Sequence, residues 1–235
     1  MEMVKIFIGY DPDETVAYHT LVQSIMDTSS VPVSITPLSL SHLGFWDRPR
    51  DSRQSNDFSY TRFLVPYLCN YMGTAIYMDC DMLVLSDIAE LNDLCKTDKA
   101  VHVVKHDYVP KDEYKYLGRK QYSYPRKNWS SFIVWNSNNK SNWKLNPELI
   151  KKETGSYLHR FSWLKDDEIG ELDPKWNWLV GEYSNPPKDV KNVHWTNGGP
   201  YFKDYDTADF SDEWNKTKQK VNYCKDPTCN KNNQI

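Results

Sequence analysis

Short apolar runs alternate with stretches of helical period from the first residues of the chain. VKIFIG, residues 4–9, is an apolar run closed by Gly, the pattern of a buried strand. DPDE follows, with acids and a proline where a helix starts. Val16, His19, Leu21, Val22 and Ile25 then recur at mostly helical spacing, and VPVSITPL (31–38) predicts a second strand. Strand–helix–strand is an α/β opening. Further along, the pattern predicts a helix over 60–72 with a kinking proline, a strand over 74–85 and a helix over 86–94 capped by Ser86 or Asp87. Strands follow at 100–104 and 130–136, a short helix at 146–153, a helical turn capped by Asp166, and a last strand at 190–195. Two stretches, 39–57 and 106–128, show no period; loops of that length are lids or disordered segments. Beyond Asp212 the chain turns polar. The expectation is one α/β domain over 1–211 and a flexible tail over 212–235.

Composition narrows the classes. The chain has 235 residues and 39% hydrophobic content, enough for one sizeable core. A net charge of −3 without a Lys/Arg block leaves no footprint for nucleic acid. Five cysteines, three of them (Cys69, Cys80, Cys95) in apolar segments, do not form a disulfide framework; reduced thiols in the cytoplasm are expected. Cys224 and Cys229 lack nearby partners for zinc. No signal-peptide pattern or bilayer-length apolar run is present. Oligomeric state is not legible.

Candidate chemistry begins with TAIYMDCDMLVL, where Asp79 and Asp81 interrupt a buried strand. Paired buried carboxylates are costly unless a cation neutralises them. Asp-x-Asp also occurs at Asp11–Asp13, opening a helix, and at Asp204–Asp206, in a polar loop; only the middle pair directly follows a buried strand. Alternate residues of extended chain share a face roughly 6.6 Å apart, so both carboxylates can converge on one divalent ion. Two solvated turn acids are the plain alternative. VHWTNGGP offers His194 as a third ligand, a mix that suits Mn²⁺. Gly198 and Gly199 would let backbone N–H groups approach a phosphate.

Taken together, these segments resemble GT-A fold glycosyltransferases, most closely the family 8 group that includes glycogenin and bacterial galactosyltransferases. Four blocks carry the resemblance over residues 4–203: IFIGYDPDETVAYHTLVQSI, YTRFLVPYLCNYMGTAIYMDCDMLVLSDI, SSFIVWN with KDDE, and HWTNGGP. SSFIVWN lacks the family's Gly, KDDE has acid where Gln is usual, and the Lys-Pro-Trp after the His segment is absent. The resemblance implies a mixed, mainly parallel sheet flanked by helices in a single domain. It implies a hexosyltransferase using a nucleotide-diphosphate-sugar, UDP-sugar favoured, with Mn²⁺ or Mg²⁺ and a glycan or other hydroxyl acceptor. Carried over residue by residue, Asp79, Asp81 and His194 become metal ligands. Arg62 pairs with the acids or the donor phosphates, and Gly9, Tyr10 and Asp11 edge the nucleotide. Asp166, Asp167 and Glu168 line the sugar and acceptor side, and Lys203 stands in for the family's phosphate-binding lysine.

By that reading the product retains the donor's anomeric configuration; an inverting route would instead need Asp167 or Glu168 as general base. Trp163, Trp176 and Trp178, with Tyr157 and His159, form a candidate acceptor platform. Residues 39–57 and 106–128 are candidate lids that exclude water. A nucleotidyltransferase is the nearest alternative, but GYDPDE is acidic where a triphosphate loop would be basic. A non-catalytic sugar-binding module explains the tryptophans and leaves the acid pair unexplained.

Overall fold

The computed structural model describes residues 3–51 and 54–223. In chain order the strands are β1 (Val4–Gly9), β2 (Val33–Leu38), β3 (Thr74–Met78), β4 (Met82–Val84), β5 (Val101–Val103), β6 (Tyr114–Lys115), β7 (Arg119–Lys120), β8 (Phe132–Asn136), β9 (Ile169–Glu171), β10 (Trp178–Leu179) and β11 (Asn192–His194). The α-helices are α1 (Thr15–Thr28), α2 (Val65–Leu68), α3 (Pro147–Lys152), α4 (Gly155–His159) and α5 (Ser211–Val221).

Six strands make one sheet in the order β2-β1-β3-β8-β5-β9. β1 runs parallel to β2 and β3, and β5 parallel to β9; β8 is antiparallel to both of its neighbours. Reversing β8 alone leaves the other five strands pointing one way, so the sheet is mainly parallel, as the resemblance implies. Ile6, Ile8, Tyr77, Phe132, Ile133 and Trp135 are fully buried, which is why these strands read as unbroken apolar runs. Helix α1 buries Ala17, Leu21 and Ile25, a stripe at spacing four. A small sheet, β10-β11-β4, has its own core of Leu83, Trp178, Val193, Trp195 and Trp214. The chain passes from the large sheet to the small one through Asp79, Cys80 and Asp81, between β3 and β4. That switch holds the two acids at the carboxyl end of a central strand.

Several expectations change. The helix over 60–72 shrinks to a 3-10 turn at Thr61–Leu64 and the single turn of α2, with Pro66 in its first turn rather than as a kink. Asn70 and Tyr71 take positive φ and end it. The helix over 86–94 is 3-10 (Ile88–Lys96), with the Asp87 side chain accepting from the Ala89 N–H at 3.0 Å. Asp166 lies inside a 3-10 turn that starts after Lys165, and the residues after that turn form edge strand β9, which periodicity missed because it has three residues. The expected tail is corrected over 212–221: α5 packs on α1 because Trp214, 1% exposed, inserts beside Tyr201, and Lys220 Nζ reaches Asp27 at 2.7 Å. One buried ring outweighs an otherwise polar helix. Cys69 and Cys80 are buried free thiols; Cys224, Cys229 and the Cys95 side chain lie outside the described residues. Among the described residues no helix is long and apolar enough to cross a membrane.

Candidate active site

The acid pair is held from both sheets. Asp79 N–H donates to the Ser131 carbonyl at 3.0 Å, extending the β3–β8 ladder, and Trp195 N–H donates to the Asp81 carbonyl at 3.0 Å. Asp79, Asp81 and His194 are 7, 8 and 1% exposed, and one ligand atom from each lies within 4.8 Å of the others. Tyr77, two residues before Asp79 on the same strand face, donates its hydroxyl to Asp79 Oδ1 at 2.7 Å. Arg62 Nη1 lies 2.9 and 3.2 Å from the two Asp79 oxygens and donates to the Ser130 carbonyl at 2.9 Å. Burial and the Asp81 charge hold the Asp79 carboxyl above the usual range, with Arg62 working against them.

Asp81 differs from Asp79. Its Oδ1 is buried with no hydrogen-bond partner, although His194 Nε2 stands 3.3 Å away. The other imidazole nitrogen, Nδ1, is 2.9 Å from Asn177 Oδ1, and the Asn177 amide donates to Ser131 Oγ at 2.9 Å. Asn177 Oδ1 only accepts, so Nδ1 carries the proton and a neutral His194 turns its Nε2 lone pair toward a carboxylate. Such a contact needs a proton or a cation between the two groups. Burial works to raise the Asp81 carboxyl, but the His194 imidazole beside it, with Lys115 behind, outweighs burial and lowers it. The two acids and the oriented imidazole fit a divalent cation, with the remaining ring nitrogen anchored as metal-binding histidines usually are.

These groups floor a cavity of about 500 Å³. One wall is the stretch after residue 53, with Gln54, Ser55, Asn56 and Ser59; another is residues 115–131, with Lys115, Gln121, Tyr124, Lys127, Asn128 and Ser130. Thr154, Ser156 and His159 of the α4 region close a third side. Beside the cavity sits Glu14, 1% exposed, accepting from the hydroxyls of Tyr116 and Tyr201 at 2.6 Å each. Burial, then the Asp81 charge, pushes its carboxyl up to about 7.

With that geometry in hand, the comparison with known families is direct: the model of "Glycosyl transferase family 8" matches residues 21–198. The chain belongs to that family. It is 43% identical over 225 residues to "Protein CDI" of Arabidopsis thaliana, covering 93% of this chain and 87% of the relative. Among solved structures, the galactosyltransferase LgtC with donor and acceptor sugar analogues superposes with a TM-score of 0.60 at 11% identity, over 94% of this chain and 97% of that one. The apo bifunctional glycosyltransferase WbbM gives 0.64 at 15% identity, over 92% of this chain; this chain spans 49% of WbbM. Those identities show the fold alone, which is GT-A. The family makes this chain a glycosyltransferase and sets aside the nucleotidyltransferase and the non-catalytic sugar-binding module.

The family 8 chain brings together Asp79, Asp81, His194 and Arg62, with Gly9 behind Tyr77 and His159 on the cavity wall. A Cβ on Gly9 would sit 2.4 Å from the Phe58 ring and 2.7 Å from the Tyr77 hydroxyl, so this glycine lets Tyr77 reach Asp79. Tyr10 packs on Tyr18, and Asp11 caps the next turn, accepting from Asp13 N–H and Asp57 N–H at 3.0 and 3.1 Å. Gly198 has φ +142° and gives its N–H to the Trp195 carbonyl at 3.0 Å; a Cβ on Gly199 would meet the Tyr201 ring at 2.3 Å. Gly198 therefore shapes a turn instead of offering its N–H to a phosphate. Lys203 is exposed on its own short turn.

The acid turn is corrected outright. Asp166, Asp167 and Glu168 precede β9, which runs in the same direction as β3, whereas Asp79 follows β3; they therefore lie at the opposite end of the strands. Asp166 pairs with Arg126, the Asp167 carbonyl accepts from Lys99 Nζ at 2.7 Å, and Glu168 Oε2 accepts from Lys165 N–H at 2.8 Å. The tryptophan platform is corrected too. Trp163 stacks on Trp135, Trp176 stacks on Phe132, and Trp178 leans on Tyr183, all buried. His159 alone of that group lines the cavity, bonded to Ser130 Oγ at 2.7 Å, with burial holding its pKa down to about 3. Sequence reasoning missed Asn177, Glu14, Lys115 and Lys127. Tyr77 had a readable signal, its spacing of two from Asp79; the lysines sit in a stretch with no period at all.

Proposed function

We propose that the protein moves a hexose from a nucleotide-diphosphate-sugar, UDP-sugar favoured, to a hydroxyl of a glycan or other acceptor, with retention at the anomeric carbon. Asp79, Asp81 and His194 would hold Mn²⁺ or Mg²⁺. The observation that carries this reading is the partnerless Asp81 Oδ1 facing His194 Nε2 on the floor of the cavity. The cavity also lies at the carboxyl end of β3, where open α/β sheets bind their ligands. A divalent cation there supplies Lewis-acid stabilisation of a departing diphosphate.

The chain's own groups orient that site. Asn177 sets the His194 tautomer, and Tyr77 with Arg62 keeps the Asp79 carboxylate pointed into the cavity. Retention draws support from the acid turn, since the acids that would serve inversion, Asp167 and Glu168, lie at the opposite end of the strands. On a retaining route the leaving phosphate itself receives the acceptor's proton. The walls from residues 54–59 and 115–131 would restrict water, whose attack on the donor competes with transfer. The buried thiols Cys69 and Cys80 support a reducing, cytoplasmic setting.

The test is a donor screen with Mn²⁺, following nucleoside diphosphate release by wild type and by Asp81→Asn. Release with one donor should fall by at least about a hundredfold in the variant. Release that ignores both the substitution and a chelator would sink the reading.

A further inference from the structure

Four cationic side chains other than histidine line the cavity: Arg62, Lys115, Lys120 and Lys127. Two already have anionic partners. Arg62 is bound to Asp79 and the Ser130 carbonyl, and Lys120 pairs with Glu113 at 3.3 Å. Lys115 and Lys127 have no carboxylate within ion-pair distance among the described residues; each ammonium stands over a tyrosine ring, Tyr116 and Tyr124, both at 5.3 Å. Lys127 is 9% exposed. The acid in its electrostatic range, Glu182, already accepts from Asn197 Nδ2 at 3.0 Å and from Lys111 N–H at 3.2 Å. A cation this buried is normally paired, and among the described residues Lys127 has no carboxylate in ion-pair contact to answer its charge.

Lys115 and Lys127 line the same cavity as the acid pair; Lys115 acts electrostatically on Asp81, Glu14 and Asp79, and Lys127 feels both Lys115 and His159. Lys115 is anchored by its neighbour, since Tyr116 donates to Glu14 and accepts from Arg119 Nη1 at 2.9 Å. We infer that Lys115 and Lys127 form a clamp for the diphosphate of the donor, supplying the cationic grip that Lys203, exposed on its own turn, does not line the cavity to give. This rests on the donor class proposed above and adds to it the residues that grip the phosphates. Both lysines come from the irregular stretch after Lys105, so the wall of the cavity and the grip on the donor are one segment.

A clamp of this kind has a signature that a structural lysine lacks. An unpaired buried ammonium destabilises the free protein, so removing it should raise Tm while weakening anion binding. Burial lowers the Lys127 pKa to about 8 from the ordinary 10.5, which makes the cost pH-dependent. The unfolded chain binds more protons than the folded one between those values, so stability rises with pH there. The Tm advantage of Lys127→Met is therefore full below about pH 8 and shrinks toward pH 10.5.

The experiment is calorimetric titration of inorganic pyrophosphate with Mn²⁺ into wild type, Lys115→Gln, Lys127→Met and Lys127→Arg, with Tm recorded for each. The clamp predicts affinity about ten- to hundredfold weaker in Lys115→Gln and Lys127→Met, at least partial recovery in Lys127→Arg, and a raised Tm in Lys127→Met at neutral pH. Unchanged pyrophosphate affinity in both lysine variants overturns it, as does a wild type that binds no pyrophosphate. Glucuronate titrated in parallel separates a phosphate clamp from a carboxylate site: loss of glucuronate binding alone in the variants overturns the phosphate assignment. Donor turnover that persists in wild type while the lysine variants match it would refute the clamp and leave the transferase reading standing. Pyrophosphate binding that depends on the lysines in a protein with no donor turnover would do the reverse.

Discussion

Asp79 and Asp81 are separated by one residue and have different companions. Asp79 is held by a guanidinium and a phenol, Asp81 faces an imidazole lone pair, and only the second arrangement leaves a buried oxygen without a partner. The difference comes from the alternation of extended chain together with the change of sheet at Cys80. Arg62 is the residue whose loss isolates a charge. Arg62→Met should lower the unfolding free energy by about 3–5 kcal/mol, because the Asp79 carboxylate then stays buried without its cation. Urea denaturation in a chelating buffer measures this, and repeating it with Mn²⁺ should recover part of the loss. A loss under about 1 kcal/mol would mean that Asp79 takes up a proton instead.

At the scale of elements, the site is assembled from short pieces that few periodic signals mark. Strands β4 and β11 have three residues each, yet they carry the turn from Asp81 and the position of His194. Their stability comes from what packs behind them. Val193 and Trp195 share a small core with Trp214 of α5, so a helix remote from the cavity supports the strand that presents the imidazole. Trp214→Ala should cost about 3–5 kcal/mol, the range for emptying a buried tryptophan site. Guanidinium denaturation reads it, and a cost near zero would return 212–221 to the status of a loose tail. Glu14 plays a comparable joining role, since Tyr116 next to β6 and Tyr201 beyond β11 both donate to its carboxylate.

Across the whole molecule, the candidate metal ligands tie two sheets together. Asp79 ends a strand of the large sheet and His194 belongs to the small one, with Asp81 at the crossing. A cation bound to all three cross-links the folded state and has no equivalent site in the unfolded chain. At a hundredfold excess over its dissociation constant it stabilises by about 2.7 kcal/mol. For a domain of this size that is a rise in Tm of roughly 5–10 °C. Differential scanning calorimetry with and without Mn²⁺ should show the rise in wild type and its loss in Asp81→Asn. Equal shifts in both proteins would place the ion elsewhere.

By itself the sequence determined what local chemistry and apolar patterning dictate. The buried runs at 4–9, 74–78 and 132–136 are strands because a doubly covered sheet leaves no room for polar alternation. The acid pair stood out because it interrupts such a run, and His194 because it closes another. Only the tertiary structure decided which other groups join them. Asp166, Asp167 and Glu168 looked suitable as acids, but the direction of β9 puts them at the opposite end of the strands, and no local pattern encodes strand direction. The tryptophans looked suitable as sugar platforms, but burial is a property of what packs against them. Lys115 and Lys127 looked like two more charges in a polar loop. Their meaning depends on lining the cavity with no carboxylate in ion-pair contact among the described residues, and that placement exists only once the chain has folded around them.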